Sequence, residues 1–148
     1  MSTMFMGEYN HSIDAKGRIM IPSKFRDSLG EGFVITKGVD KGCLWVFPTD
    51  EWEAFYEKLR SSLTFTNKDS RQFLRHFMAG AMNAEVDKQG RVLLAQNLRE
   101  YANLTTNVTL VGTGPRIEIW DTTTWNDEEA EIDADLIAER MGELGFGI

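Results

Sequence analysis

The chain has 148 residues, 42% of them apolar, including nine Phe and four Trp; this supports one domain or two small ones with a real core and excludes a disordered chain. A lone cysteine, Cys43, rules out an internal disulfide, no apolar run reaches the ~20 residues of a membrane-spanning helix, and "MSTMFMGEYNH" lacks the basic and apolar regions of a signal peptide, so a cytoplasmic protein is expected. The net charge of −7 is local: residues 1–60 hold 8 Lys/Arg against 9 Asp/Glu, 61–125 hold 7 against 6, and 126–148 set Arg140 alone against eight acids, which leaves a neutral body free to carry a basic face.

In chain order, "YNHSI" (9–13) and "RIMI" (18–21) are predicted strands bracketing "DAKG", where Asp14 suits an Asx-type turn and Gly17 a positive φ. Pro22 fits the first turn of a short helix, "SKFRDSL", which Gly30 stops. "GFVITKG" and "GCLWVFP" are two further strands. "TDEWEAFYEKLRSSL" (49–63) has Thr49 as its expected N-cap and Trp52, Phe55, Tyr56, Leu59 and Leu63 at helical spacing. A second helix, "KDSRQFLRHFMAG", is expected to place Phe73, Leu74, Phe77 and Met78 on one face and Arg71 and Arg75 on the other. These aromatic residues are expected to pack in the core or between protomers.

From residue 83 the opening phrase returns as "NAEVDKQGRVLLAQNLREYA". "GTGPR" (112–116) is a hairpin turn, since it lacks the Gly-Lys-Ser/Thr ending of a phosphate loop. "RIEIWDTTTW" follows, and the chain is expected to continue as an acidic, weakly amphipathic helix carrying Ile132, Leu136, Ile137 and Met141.

At an offset of 73, Asp14 aligns with Asp87, Gly17 with Gly90, Arg18 with Arg91 and Arg26 with Arg99. Apolar positions follow, Ile19 with Val92 and Phe25 with Leu98, and the match extends to Leu44 with Ile117 and Trp52 with Trp125. Gly38 meets Gly112 if the second copy gains one residue. This is an internal duplication. Four short strands and a helical turn bury little surface alone, whereas two copies packed together bury far more.

The phrase Asp-x-x-Gly-Arg, apolar-x-apolar-Pro and a short Arg-bearing helix resembles the SpoVT-AbrB swapped-hairpin DNA-binding module. Two copies around a helical insert, with "MFMGEY" before and "IEIWDTTTW" after, resemble the MraZ family of bacterial transcriptional regulators, from Met4 to about Trp125. The resemblance implies an α+β fold: two tandem β-rich swapped-hairpin repeats forming a pseudo-twofold double barrel, with inserted and C-terminal helices. The boundaries are then 7–52 for the first repeat, 53–80 for the helical insert, 81–125 for the second repeat and 126–148 for the acidic helical tail. It also implies a ring-shaped homo-oligomer such as an octamer, and binding to repeated double-stranded DNA boxes at its own promoter. The family's Asp-x-x-x-Arg motif falls on Asp14 and Arg18, and on Asp87 and Arg91. Residues 1–3 precede the family's usual start, and the second copy has Ala95 for Pro22 and Gln89 for Lys16.

Clustered Lys and Arg serve phosphate contacts, and the arginine fork can grip guanine. Lys16, Arg18, Lys24 and Arg26 give the first copy a local +4, and Arg91 and Arg99 give the second +2, so these six are the candidate DNA-binding residues. Arg91 can equally be ion-paired to Asp87 across the turn, and Arg18 less readily to Asp14; the roles can coexist, with the Asp orienting the Arg. Gly17 and Gly90 are turn residues. His11, His76 and Cys43 lack metal-ligand spacing. No metal, cofactor or catalytic residue is expected, and no enzyme activity. A regulator, more specifically a repressor, located in the cytoplasm at the nucleoid, is the leading expectation; the alternative is an antitoxin-like module whose partner is a toxin protein.

Overall fold

The computed structural model describes residues 4–147. The first copy contributes β1 (Glu8–Ser12), β2 (Arg18–Met20), α1 (Ser23–Leu29), β3 (Phe33–Lys37) and β4 (Leu44–Pro48). Helices α2 (Thr49–Ser62) and α3 (Lys68–Ala79) follow. The second copy repeats the order with β5 (Met82–Ala84), β6 (Arg91–Leu93), α4 (Gln96–Tyr101), β7 (Asn107–Gly112) and β8 (Ile117–Asp121), before α5 (Thr122–Ala130) and α6 (Ala134–Glu143).

"YNHSI" and "RIMI" do not close on each other as a hairpin. β1 pairs with β7 of the second copy, from Glu8 opposite Val111 to Ser12 opposite Asn107. β5 pairs in turn with β3 of the first, Phe33 opposite Ala84. The six-stranded antiparallel sheet therefore runs β1-β7-β8-β4-β3-β5, and β2 and β6 form a separate ribbon. The copies interlock by trading their first strands, so neither half of the sheet is complete without the other. The double barrel expected from the sequence takes the form of this sheet covered by the ribbon, and no ladder joins β1 to β5 among the described residues.

Register exposes the duplication as symmetry. Trp45 lies opposite Glu118, its own counterpart at the offset of 73, flanked by Leu44 opposite Ile119 and Val46 opposite Ile117. Ile19 likewise lies opposite its counterpart Val92. Both self-paired positions sit on one pseudo-twofold axis. Register also corrects the alignment in the middle of the repeat. Phe33 pairs with Pro48 as Val108 pairs with Asp121, so the second copy gains two residues before β7, not one, and Gly38 is not the partner of Gly112. The extra residues lengthen the link from α4 to β7.

Strands β3 and β4 are buried on both faces, which requires layers on both sides. On one side Phe33, Ile35, Leu44, Val46, Leu110 and Ile119 pack under Ile19 and Val92 of the ribbon and under Phe25 and Leu98 of α1 and α4. On the other, Trp45, Phe47 and Trp120 pack against Trp52 and Phe55 of α2, Phe77 of α3 and Trp125 of α5. The ribbon and the helical insert thus occupy opposite faces of one sheet.

Three local expectations change. Thr49 is the first residue of α2 and makes no cap; its hydroxyl donates to the Gly32 carbonyl at 3.0 Å, tying the helix to β3. In α3 the inward line is Ser70 and Phe77, with Thr36 Oγ1 donating to the Phe77 carbonyl at 2.7 Å, while Phe73 and Met78 face outward. The acidic tail is two helices broken at 131–133, where Asp133 caps α6 by accepting from the backbone N–H of Asp135 and Leu136.

Candidate nucleic-acid interface

The Asp-x-x-Gly-Arg phrase builds the same turn twice. Asp14 Oδ1 accepts from the backbone N–H of Lys16 (3.0 Å) and Arg18 (2.9 Å), and Oδ2 accepts from Arg18 Nε at 2.7 Å. Asp87 Oδ1 accepts from the N–H of Gln89 and Arg91 (both 2.9 Å), and Oδ2 from Arg91 Nε at 3.0 Å. Each turn is closed by a Gly N–H donating to the Asp carbonyl at 3.0 Å. The Asp at the start of the phrase therefore acts on its local backbone first and on the arginine second, as short polar side chains do in turns. The backbone N–H of Arg18 and of Arg91, ahead of the guanidinium itself, holds each carboxyl below the usual 3.8.

Both readings of Arg18 and Arg91 meet here. Each is ion-paired across its turn, and each stays partly open, with 27% and 28% of the side chain exposed. Pairing through Nε leaves the outer guanidinium nitrogens of Arg18 unused by the turn. Arg91 differs, because one of its terminal nitrogens donates to Gln89 Oε1 at 3.2 Å. The period-two pleat of the ribbon turns Ile19 and Val92 inward and Arg18, Met20, Arg91 and Leu93 to the outer face. Two oriented arginines thus lie diagonally across one short ribbon.

Interlocking reassigns the other cations. Ile21 N–H donates to the Gly90 carbonyl at 2.9 Å, and Leu94 N–H donates to the Gly17 carbonyl at 3.0 Å, so each turn is held by the opposite copy. The helix arginines cross in the same way. Arg99 covers Gly17, where an added Cβ would lie 2.9 Å from its Cζ, and Arg26 covers Gly90, where the distance would be 2.8 Å. Gly17 and Gly90 have φ of +86° and +81°, so both the conformation and the close approach require glycine. One pole therefore gathers Lys16, Arg18 and Arg99, and the other Arg91 with Lys24 and Arg26. A +4 and a +2 counted along the sequence become two mixed clusters in space.

Lys16 and Lys24 are exposed, and Arg26 and Arg99 half-buried. None of the four makes an ion pair among the described residues; Arg99 Nε donates to the Leu94 carbonyl at 3.1 Å. A groove of about 310 Å³ beside α1 is lined by His11, Met20, Lys24 and Arg26. The sequence reading did not place His11, Met20 or Gln89 here. Alternation from Arg18 signals Met20, but nothing local signals His11, which lies on β1, the strand that pairs with β7.

Two copies of a strand–turn–strand–helix unit that exchange strands and present paired Asp–Arg turns define an α+β protein of two tandem, strand-swapped repeats. A family model described as "MraZ protein, putative antitoxin-like" matches residues 4–76 and again 77–144; the chain belongs to the MraZ family. It is 51% identical over 144 residues to "Transcriptional regulator MraZ" of Clostridium tetani, covering 97% of this chain and 100% of that protein. It is 53% identical over 145 residues to the protein of the same name from Acetivibrio thermocellus, again over 97% and 100%.

Proposed function

We propose that the chain is a sequence-specific DNA-binding transcriptional regulator, a repressor of the promoter of its own division and cell-wall gene cluster, acting as a ring of identical subunits on repeated boxes. The observation that carries this reading is the ribbon with its two Asp-oriented arginines, each beside a helix arginine from the other copy. The relatives' names point the same way. Lys16, Lys24, Arg26 and Arg99 contact phosphates, while Arg18 and Arg91 read base edges, Arg18 more strongly because Gln89 engages Arg91. Asp14 and Asp87 orient their arginines and do not touch DNA, since a carboxylate repels phosphate. The role is non-enzymatic and needs no cofactor, and the site of action is the nucleoid in the cytoplasm.

A ring repeats the patch, so several weak contacts act together when box spacing matches subunit spacing. An acidic tail is compatible with this: α5 leaves β8 on the face of the sheet opposite the ribbon. Among the described residues no helix is long and apolar enough to cross a membrane.

Footprinting of the DNA upstream of the protein's own gene tests the reading. Evenly spaced protected boxes, absent on scrambled DNA, and higher promoter output in a deletion strain are the expected results. Uniform protection of both DNAs would remove sequence specificity, and lower output would make the protein an activator. The exposed apolar stripe of the tail also suits a protein partner, and co-purification of a toxin protein encoded beside the gene would move the reading to an antitoxin-like module.

A further inference from the structure

The helical insert carries an apolar groove with a basic rim. Between α2 and α3, a cleft of about 380 Å³ is lined by Tyr56, Phe65, Leu74 and Met78, with Arg60 and Arg75 at its edges and no carboxylate in the lining. Phe65 is 68% exposed, Tyr56 and Met78 38% each. Arg60 is bonded to Glu57 on its own helix, whereas Arg75 makes no ion pair among the described residues. Exposed apolar surface of this kind, collected in one groove rather than scattered, marks an interaction site.

The same chain carries the complementary surface. Helix α6 presents Leu136, Ile137 and Met141 at helical spacing, with Asp135, Glu139 and Glu143 in a row four residues apart along the edge of that stripe. Arg140 is its single cation. Leu136 and Ile137 are 42% and 45% exposed, and every residue from 131 to 140 is exposed. The helix therefore touches neither the groove of its own chain nor any other element extensively. The apolar residues of α6, with Arg140 between Leu136 and Ile137 around the helix, match the apolar groove, and the carboxylates beside them match Arg75, the groove arginine that makes no ion pair among the described residues.

We propose that α6 of one subunit docks in the α2–α3 groove of the next copy, its carboxylate row against Arg60 and Arg75. The contact is heterologous, tail to groove, and successive contacts of that kind generate a closed ring when the rotation per subunit allows. The inference rests on the proposed ring and names the elements that close it. The same contact gives the strongly acidic tail a role on the face of the molecule away from the basic ribbon.

Light scattering on the full-length protein tests this with two sets of variants. Leu136→Glu with Ile137→Glu disables the tail, and Phe65→Glu with Met78→Glu disables the groove. Arg75→Glu weakens the rim without altering an apolar contact. Circular dichroism confirms that each variant is folded. The wild type is expected at several times the monomer mass, and each variant at half that mass or less. An equimolar mixture of tail-disabled and groove-disabled chains is expected to recover a species of twice the monomer mass, because one intact tail then meets one intact groove. Wild-type mass in all variants would overturn the tail contact and leave the ring standing. Dissociation without recovery on mixing would overturn the pairing of these two surfaces and point to docking within one chain. A monomeric wild type would overturn the ring and the contact together.

Discussion

At the scale of single residues, Asp14 and Asp87 act as the hubs of their turns, each carboxylate accepting two backbone N–H groups and one guanidinium N–H. Their folded values lie below the ordinary 3.8, so the sign of the linkage is definite. A carboxyl whose folded value is depressed contributes stability that is complete above the unfolded value and is lost as the pH falls through the folded one. Carboxyl carbon titration by NMR should give both residues midpoints below 3.8, and Asp14→Asn should abolish the local ordering of Arg18 without removing its charge. Gly90 makes a second prediction at this scale. Gly90→Ala would force a left-handed residue and push against Arg26, costing about 1–3 kcal/mol in chemical denaturation. Gly30→Ala carries backbone strain without a contact, since nothing lies near the added methyl and its φ of +76° with ψ of −168° is a conformation kept for glycine.

At the scale of elements, residues that act locally were legible and residues that act across the duplication were not. The Asx turn, the positive-φ glycines, the Pro-opened helix α1 and the strands β3 and β4 are all set by neighbours in sequence, and spacing alone recovers them. "YNHSI" followed by "DAKG" and "RIMI" looks like a hairpin because a hairpin is the local solution. The chain instead sends β1 to β7, a hundred residues away, since that buries both copies. The same non-local logic places Arg26 over Gly90 and Arg99 over Gly17, which no count along the chain could reveal. Thr49 looks like a cap, but its hydroxyl bonds the Gly32 carbonyl of the neighbouring segment. In α3, periodicity picks a stripe from Phe73 to Met78, but only Phe77 of it is buried, stacked on Trp45 with ring centroids 5.4 Å apart and edge-on to Phe55 at 5.1 Å. Truncating that ring, Phe77→Ala, should destabilise the fold by about 3–5 kcal/mol, whereas Phe73→Ala should change unfolding stability little. Cys43 lies in the same layer, and burial pushes its thiol up to about 12. Thiol reagents should leave it unmodified in the native protein and label it only on unfolding.

At the scale of the whole molecule, the distribution of charge matters more than its sum. The acids that make the chain −7 lie in the last 23 residues, while the candidate DNA residues lie on the ribbon and its flanking helices, on the other side of the sheet. The duplicated phrase serves two ends through one geometry: traded strands complete the sheet, and the turns they leave behind hold two arginines on one face. If the chain neutralises about 4 to 6 phosphates, the log–log dependence of DNA affinity on salt should have a slope of roughly −4 to −5. A much shallower slope would mean that the ribbon is not the phosphate-binding face.

The most direct test of the account is fluorescence anisotropy on DNA from upstream of the protein's own gene, against scrambled DNA, at two salt concentrations. Wild type is compared with Arg18→Ala, Arg91→Ala and the double variant, each confirmed as folded. The expected results are a preference for the promoter that weakens with salt, a large loss on Arg18→Ala, a smaller loss on Arg91→Ala, and no remaining preference in the double variant. A folded double variant that still prefers its promoter as the wild type does would contradict the account and leave the paired turns with a structural role alone.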